Sequence, residues 1–201
     1  MPRVAQYDRK AAIDAAIALF WRRGYYATSL KDIERELDMR PGSLYAAFGS
    51  KQGLFLEALD AYTAAMERDV EEHIGATGGV LPGVMAYLRW LLLGRDSDAG
   101  VTTPACMVVK TLLESTDDED PLRGKATLLL RKVEQGFTDA LEQAKAAGEL
   151  RANVDCRRMA RLLQTQVMGV RSFAQSGANE QQLQQLLDDI DSIFSPYRAV
   201  H

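Results

Sequence analysis

Apolar residues recur at helical spacing along nearly the whole chain, and this periodicity limits the possible folds more than any other feature. An early example is the set Ile13, Ala16, Ile17 and Phe20. Residues three and four positions apart share one face of a helix, so these side chains form an apolar stripe. No segment alternates apolar and polar residues for long enough to make a strand. The sequence therefore predicts an all-α protein.

Capping residues and glycines divide the N-terminal part of the chain into four predicted helices. Ser29, followed three residues later by Asp32, has the pattern of a capping box at the start of a helix. Pro41 is favoured in the first turn of a helix because its missing N–H costs no hydrogen bond there. Gly75 lies in the glycine-rich stretch GATGG and predicts the end of the fourth helix. The four helices cover about residues 9–23, 30–37, 41–47 and 51–73.

Longer periodic segments follow and predict a helical bundle in the C-terminal part. They cover about residues 81–93, 104–115, 122–147, 155–175 and 179–194. A chain of 201 residues with 47% hydrophobic residues has room for one large domain or for two small ones. Length and composition leave both arrangements open.

Charge is distributed unevenly along the chain. Residues 1–55 carry nine Lys and Arg against six Asp and Glu, whereas the remaining residues carry 15 against 22. The net charge of −4 argues against a surface coated with positive charge. A basic N-terminal part joined to an acidic body indicates that only the N-terminal part meets a polyanion.

Several classes of protein are disfavoured by what the sequence lacks. No stretch approaches the roughly 18 apolar residues that cross a membrane, and the N-terminus is polar, so we expect a cytoplasmic protein. Cys106 and Cys156 have no CxxC pattern and no histidine nearby, which fits neither a disulfide framework nor a metal site. With two histidines and no nucleophile elbow or phosphate-binding loop, we expect neither an enzyme nor a bound cofactor.

The second and third predicted helices are short, are joined by a tight turn and lie between longer helices, as in a DNA-binding helix-turn-helix. Small residues on the third helix allow it to lie in the major groove close to base edges. Phosphates would be met by Thr28 or Ser29 at the start of the second helix, and by Tyr45 and Lys51. The candidate DNA contacts are Thr28, Ser29, Arg40, Pro41, Gly42, Ser43, Tyr45, Ala46 and Lys51.

Residues 8–59, which include the segment ATSLKDIERELDMRPGSLYAAFGSKQGLF, resemble the N-terminal domain of TetR/AcrR-family regulators. The positions that fall in the register of that family are Gly24, Thr28, Ile33, Gly42, Ser43, Leu44, Tyr45, Phe48 and Lys51. The resemblance implies a two-domain, all-helical homodimer whose C-terminal domain binds an inducer. It implies a DNA-binding domain in residues 1–55, with the fourth helix leading on to about residue 73, and a ligand-binding and dimerisation domain in residues 56–201.

The resemblance also implies roles for single residues. In that family the residues matching Thr28, Tyr45 and Lys51 touch phosphates, and the recognition helix begins at the position of Arg40. Asp38 replaces the family's usual turn glycine, but aspartate tolerates the left-handed conformation better than most residues. Arg40 replaces a serine cap and brings a forked donor suited to a guanine base or to a phosphate.

The C-terminal part offers candidates for a ligand pocket, because aromatic, methionine and apolar side chains recur there at helical spacing. They are Tyr87, Trp90, Leu91, Cys106, Met107, Lys110, Leu113, Phe137 and Phe173. The same pattern is typical of an ordinary helical core. Lys110 is the polar candidate, and it either meets an acidic or carbonyl ligand or pairs with Glu114 one turn later.

A dimer interface is predicted near the C-terminus. Residues 162–177 combine small residues with long apolar ones, and an apolar stripe follows in the last helix. Together they resemble half of the four-helix interface of the family. The candidates are Met168, Gly169, Leu183, Leu187 and Ile190. The alternative is that these residues complete the core of a single subunit.

Cys106 allows a different mode of regulation. It lies at a predicted helix start with Lys110 one turn on, and both features favour a thiolate. The residue is therefore either a sensor of electrophiles or oxidants, or a small buried side chain. Cys156 lies beside two arginines, and we expect it to be exposed.

These features together predict a DNA-binding transcriptional regulator with no membrane partner. The principal hypothesis is a homodimeric repressor that a small-molecule inducer releases from double-stranded operator DNA. The alternative is a repressor that senses electrophiles through Cys106. An interaction module that has lost DNA binding is disfavoured by the basic N-terminal part.

Overall fold

The computed structural model describes residues 8–94, 105–117 and 119–199. Within these ranges the chain forms nine α-helices and no strand, which confirms the all-α prediction. The helices are α1 (Arg9–Arg23), α2 (Leu30–Leu37), α3 (Pro41–Phe48), α4 (Lys51–Thr77), α5 (Val80–Leu93), α6 (Met107–Glu114), α7 (Pro121–Ala146), α8 (Cys156–Ala174) and α9 (Glu180–Phe194). A short 3-10 turn, Ser195–Tyr197, follows α9. None of these helices is long and apolar enough to cross a membrane.

The first helices begin where their capping residues predict. The Asp8 carboxylate accepts hydrogen bonds from the backbone N–H groups of the next turn. The Ser29 hydroxyl accepts from the Asp32 N–H at 3.2 Å, and the Asp32 carboxylate accepts from the Ser29 N–H at 3.0 Å. Each bond satisfies a donor that the start of the helix leaves open. The capping box is therefore confirmed.

The end of α4 differs from the prediction. The helix continues past Gly75 to Thr77 and ends at Gly78, which has the left-handed conformation with φ 69°. The predicted end of the fourth helix at Gly75 is therefore wrong. The last turns of α4 pack closely against α5, where Gly83 lies on the backbone of Ile74. This tertiary contact stabilises the last turns of α4, although Gly75 within them weakens the helix.

Buried apolar residues form two clusters. The first joins α1, α2, α3 and the first half of α4, which we call the head, to α6 and the start of α7. The second joins α5 to the later part of α7, to α8 and to α9. Because α6 packs with the head, the part of the chain expected to carry regulation contacts the DNA-binding part directly. The domain boundary near residue 55 remains a prediction.

The apolar stripe of α9 lies inside the chain. Leu183, Leu187 and Ile190 are all buried, and the last two belong to the second cluster. Their assignment to a dimer interface is corrected, because side chains already covered within one chain offer no surface to a partner. The outer part of this helix pair instead includes the exposed Phe173 on α8 and Ile193 on α9.

Candidate nucleic-acid interface

The turn between α2 and α3 depends on Asp38. This residue ends α2 in the left-handed conformation, with φ 49° and ψ 43°, and its N–H donates to the carbonyl of Glu34. It is the only non-glycine residue with positive φ in the described part of the chain. Aspartate tolerates this conformation better than most residues, so the turn forms without the usual glycine. The expectation for Asp38 is confirmed.

Helix α3 separates a buried face from an exposed one. Leu44 and Phe48 pack in the core of the head, together with Ile33 of α2. The predicted DNA-reading residues Pro41, Gly42, Ser43, Tyr45 and Ala46 are all exposed. Most of their side chains are small and leave the helix surface open to a groove. The exposed face of α3 therefore suits close approach to a duplex.

Thr28 does not belong to the exposed surface. Its side chain is buried, and its hydroxyl donates to the carbonyl of Gly24 at 2.6 Å. The expected phosphate contact by this side chain is therefore corrected, because the hydroxyl is used within the chain. The neighbouring Ser29 is exposed and remains the candidate at the start of α2.

Most basic residues of the described head are paired with carboxylates. The ion pairs are Arg9–Glu57, Lys10–Asp14, Arg22–Glu36, Arg23–Asp32 and Arg35–Asp32, with N–O distances of 2.6–2.9 Å. The Ser29 hydroxyl and N–H, followed by Arg23, hold the pKa of Asp32 well below its usual range. Asp32 thus stays ionised and partly neutralises two arginines. The number of basic residues in the head therefore overstates how many of them are available to contact DNA.

Three basic residues of the head have no ion pair within the described ranges: Lys31, Arg40 and Lys51. Lys31 is the second residue of α2, Arg40 is the N-cap of α3 and Lys51 is the first residue of α4. The Arg40 side chain makes no capping hydrogen bond, as predicted. Lys31 was missed by the sequence interpretation, although a basic residue beside a predicted cap was a usable signal. Helix N-termini attract anions, so all three cations lie where a phosphate is favoured.

Lys51 is held in place by an aromatic ring. Its Nζ lies 4.2 Å from the centre of the Tyr25 ring, and the side chain is half-buried. Burial lowers the pKa of Lys51 from its ordinary value. A cation held over a ring loses less freedom when it binds a phosphate than a fully mobile lysine does.

Helix α6 is hydrogen-bonded to the end of α1. The Lys110 ammonium donates to the carbonyls of Trp21 and Arg22 at 3.3 and 3.1 Å, and the Trp21 indole N–H donates to the carbonyl of Ala105 at 2.8 Å. The Glu114 carboxylate accepts from the N–H of Tyr25 at 3.2 Å. A lysine at a helix C-terminus satisfies carbonyls that the helix leaves open. A movement of α6 would therefore be transmitted directly to the head.

The predicted ligand residues do not form one pocket. Tyr87 and Leu91 line a cavity of about 220 Å³ beside Arg171, whereas Lys110 and Leu113 line a separate cleft of about 520 Å³ on the outside of α1 and α6. The remaining residues are also dispersed. Phe137 lines a third cleft, Met107 is buried in the core, Trp90 lies against His73, and Phe173 is exposed. The prediction that these residues line one ligand pocket is therefore corrected.

The two cysteines lie in different surroundings. Cys106 is buried as the N-cap of α6, and Cys156 is buried at the start of α8, so the expected exposure of Cys156 is wrong. Burial, together with Glu142, raises the pKa of Cys156. Near Cys106 lies Arg171, an almost fully buried arginine that the sequence interpretation missed. Its position within the apolar stripe of α8 was the available signal.

These features define a helix-turn-helix DNA-binding protein with an attached helical domain. They are the capped α2, the left-handed turn, the exposed face of α3 and the three cations that have no ion pair in the described head. Comparison with known proteins identifies the family within this class. Residues 12–58 match the family described as bacterial regulatory proteins, tetR family. Residues 89–190 match the tetracyclin repressor-like C-terminal domain. The chain belongs to the TetR family of transcriptional regulators.

Similar proteins cover nearly the whole chain. The HTH-type transcriptional repressor ComR of Escherichia coli is 28% identical over 184 residues, which are 90% of this chain and 85% of ComR. The uncharacterized regulator YezE of Bacillus subtilis is 27% identical over 94% of this chain and 96% of its own length. A cysteine mutant of the TetR family regulator CifR, complexed with 26 bp double-strand operator DNA, has a TM-score of 0.83. It is 28% identical, with 94% of this chain and 98% of CifR covered.

Proposed function

We propose that this chain is a homodimeric repressor that occupies an operator in the bacterial cytoplasm and leaves it when a small molecule binds. The observation that carries the proposal is the position of Lys31, Arg40 and Lys51, which have no acidic partner among the described residues, at the starts of three successive helices. Phosphates favour such positions, and the exposed face of α3 lies between them in the sequence. ComR is itself a repressor, which supports repression over activation.

The proposed dimer uses the outer faces of α8 and α9. Gly169 has open space around it, and Met168 beside it is only partly buried. Phe173 is 44% exposed, and Ile193 on α9 is 40% exposed. Two copies that bury these side chains would present their heads to two half-sites of a near-palindromic operator. Two chains per operator duplex, measured by sedimentation, is the expected stoichiometry.

Replacing Lys51 with alanine should weaken binding to all DNA sequences by a similar factor. Loss of one phosphate contact should reduce the log–log slope of affinity against salt by about 0.9. The measurement is a gel shift or fluorescence titration at several salt concentrations, on the operator selected from genomic DNA and on a shuffled duplex. Lys125→Ala is the matched control, because Lys125 on α7 pairs with Asp60 at 2.6 Å outside the DNA-reading elements. An unchanged slope in Lys51→Ala would place Lys51 away from the backbone.

A thiol-sensing repressor is the second candidate, and the cluster around Arg171 favours it. The Arg171 guanidinium donates to the Tyr62 hydroxyl at 2.9 Å. Burial alone would lower the pKa of Arg171, but Tyr62, Cys106 and Tyr87 together raise it. The buried Arg171 guanidinium thus lies in the same buried cluster as the Cys106 sulfur, next to the start of α6. Lys110, the activator expected from the sequence, instead donates to the end of α1.

Iodoacetamide tests this second candidate. The Cys106 thiolate would form a thioether as iodide leaves, and the bulk added at the start of α6 would disturb its hydrogen bonds to α1. We expect release of operator DNA from the wild type and none from Cys106→Ser, with operator affinity of the untreated variant unchanged. Cys156→Ser is the matched control, because Cys156 lies at the start of α8 rather than α6 and its pKa is raised. Equal release from wild type and Cys106→Ser would exclude the thiol as the sensor.

A further inference from the structure

A cleft with a volume of about 730 Å³ lies between α4 and α7. Its walls are mostly apolar, and their apolar side chains are only partly covered, apart from the buried Val80 and Phe137. They include Met66, Val70 and Ile74 on α4, and Val133, Phe137 and Ala140 on α7. A volume of this size matches small-molecule sites, which are concave and mostly apolar. Apolar walls left open to water have a cost that a bound apolar molecule would remove.

Two glycines line this cleft. Gly75 on α4 and Gly136 on α7 both line it, and a side chain at either position would meet no atom within 4 Å. Glycine inside a helix costs about 1 kcal/mol relative to alanine. Packing does not require either residue, because nothing approaches them. A large side chain at either position would extend into this open space beside the cleft.

The charged rim of the cleft selects the kind of ligand. Lys132 is paired with Glu67 at 2.9 Å across the cleft. Glu71 on α4 and Asp139 on α7 also line it, and neither has an ion-pair partner among the residues that the structure describes. Asp139 accepts one hydrogen bond, from the Gln135 amide at 2.7 Å. The rim is therefore acidic on both sides, which attracts a cation and repels a carboxylate.

We propose that the α4–α7 cleft binds an amphipathic cation, with its apolar body between Val70 and Phe137 and its positive group between Glu71 and Asp139. The consequence for regulation rests on the proposed function. Helix α4 is continuous from the cleft into the head, where Leu54 and Phe55 are buried. A ligand that separates α4 from α7 thus acts on the helix that positions the head.

Three probes of equal chain length test the site on the full chain. They are decyltrimethylammonium, 1-decanol and decanoate, each used below its micelle-forming concentration and measured by calorimetry without DNA. We expect the cation to bind at least about tenfold more tightly than decanoate, because opposite charges at the rim favour one and oppose the other. Decanoate binding as tightly as the cation would overturn the ligand class.

Variants locate the site. Gly136→Leu should fill the cleft and weaken binding of the cation by at least about tenfold, whereas Gly124→Leu, in open space on the same helix, should bind as the wild type does. Glu71→Gln should weaken the cation about threefold and leave 1-decanol unchanged, with Glu72→Gln, which does not line the cleft, as its control. Wild-type binding by Gly136→Leu would refute the site.

Operator binding is measured separately, so that the two proposals can fail independently. If the chain binds the cation in the cleft but binds no DNA, the proposed function is wrong and the site stands. If it binds operator normally and Gly136→Leu still binds the cation, the site is wrong and the DNA-binding function stands. Release of operator by the cation from wild type and Gly124→Leu, but not from Gly136→Leu, supports both.

Discussion

Replacement of Phe55 with alanine should destabilise the head so strongly that DNA binding is lost. Phe55 is 1% exposed, and its ring centre lies 4.8 Å from that of Phe20 and 4.9 Å from that of Tyr25. Removing a buried phenylalanine costs about 3–5 kcal/mol, which is a large part of the roughly 5–15 kcal/mol that stabilises a typical domain. Denaturant unfolding followed by circular dichroism should show a much lower midpoint.

Tyr45→Ala provides the matched comparison for Phe55→Ala. Tyr45 is also an aromatic residue of the head, but it is 47% exposed on α3. Its removal should change the free energy of unfolding by about 0.5 kcal/mol or less while still weakening DNA binding. Equal losses of stability in the two variants would contradict the assignment of Phe55 to the core and of Tyr45 to the DNA surface.

Gly83→Ala should destabilise the body by separating α5 from α4. A Cβ atom at this position would lie 2.4 Å from the Cα and 2.8 Å from the backbone N of Ile74. Backbone atoms cannot move aside as a flexible side chain can, so the helices must shift. We expect a net loss of about 1–3 kcal/mol, even though alanine is the better helix former. The free energy of unfolding in urea measures it.

The same substitution at Gly124 should have the opposite sign. Gly124 lies in the first turn of α7, and a Cβ atom there would meet nothing within 4 Å, so alanine adds helix propensity without a clash. A gain of up to about 1 kcal/mol is expected. If Gly124→Ala lowered the free energy of unfolding, or Gly83→Ala raised it, contact between helices would not decide whether alanine stabilises or destabilises these positions.

Much of the head could be predicted because its signals are local. Ser29 and Asp32 satisfy each other's backbone donors, Pro41 begins α3, and Asp38 adopts the left-handed turn, all within a few residues of one another. Such hydrogen bonds and dihedral preferences depend on neighbours in the sequence. The candidate site was less complete: Thr28 is buried, and the sequence does not show that Arg22 and Arg23 are held in ion pairs whereas Lys31 is not.

The sequence by itself determined the helices, their caps and the arrangement of the helix-turn-helix. Only the tertiary structure decided which helix faces meet, as Leu187 on α9 and Gly83 against Ile74 illustrate. An apolar stripe marks a face that avoids water, but it does not identify the surface that covers it. The dispersed pocket residues and the open α4–α7 cleft follow from packing between helices distant in sequence. Burial and clefts are properties of that packing, whereas caps and turns are properties of the local chain.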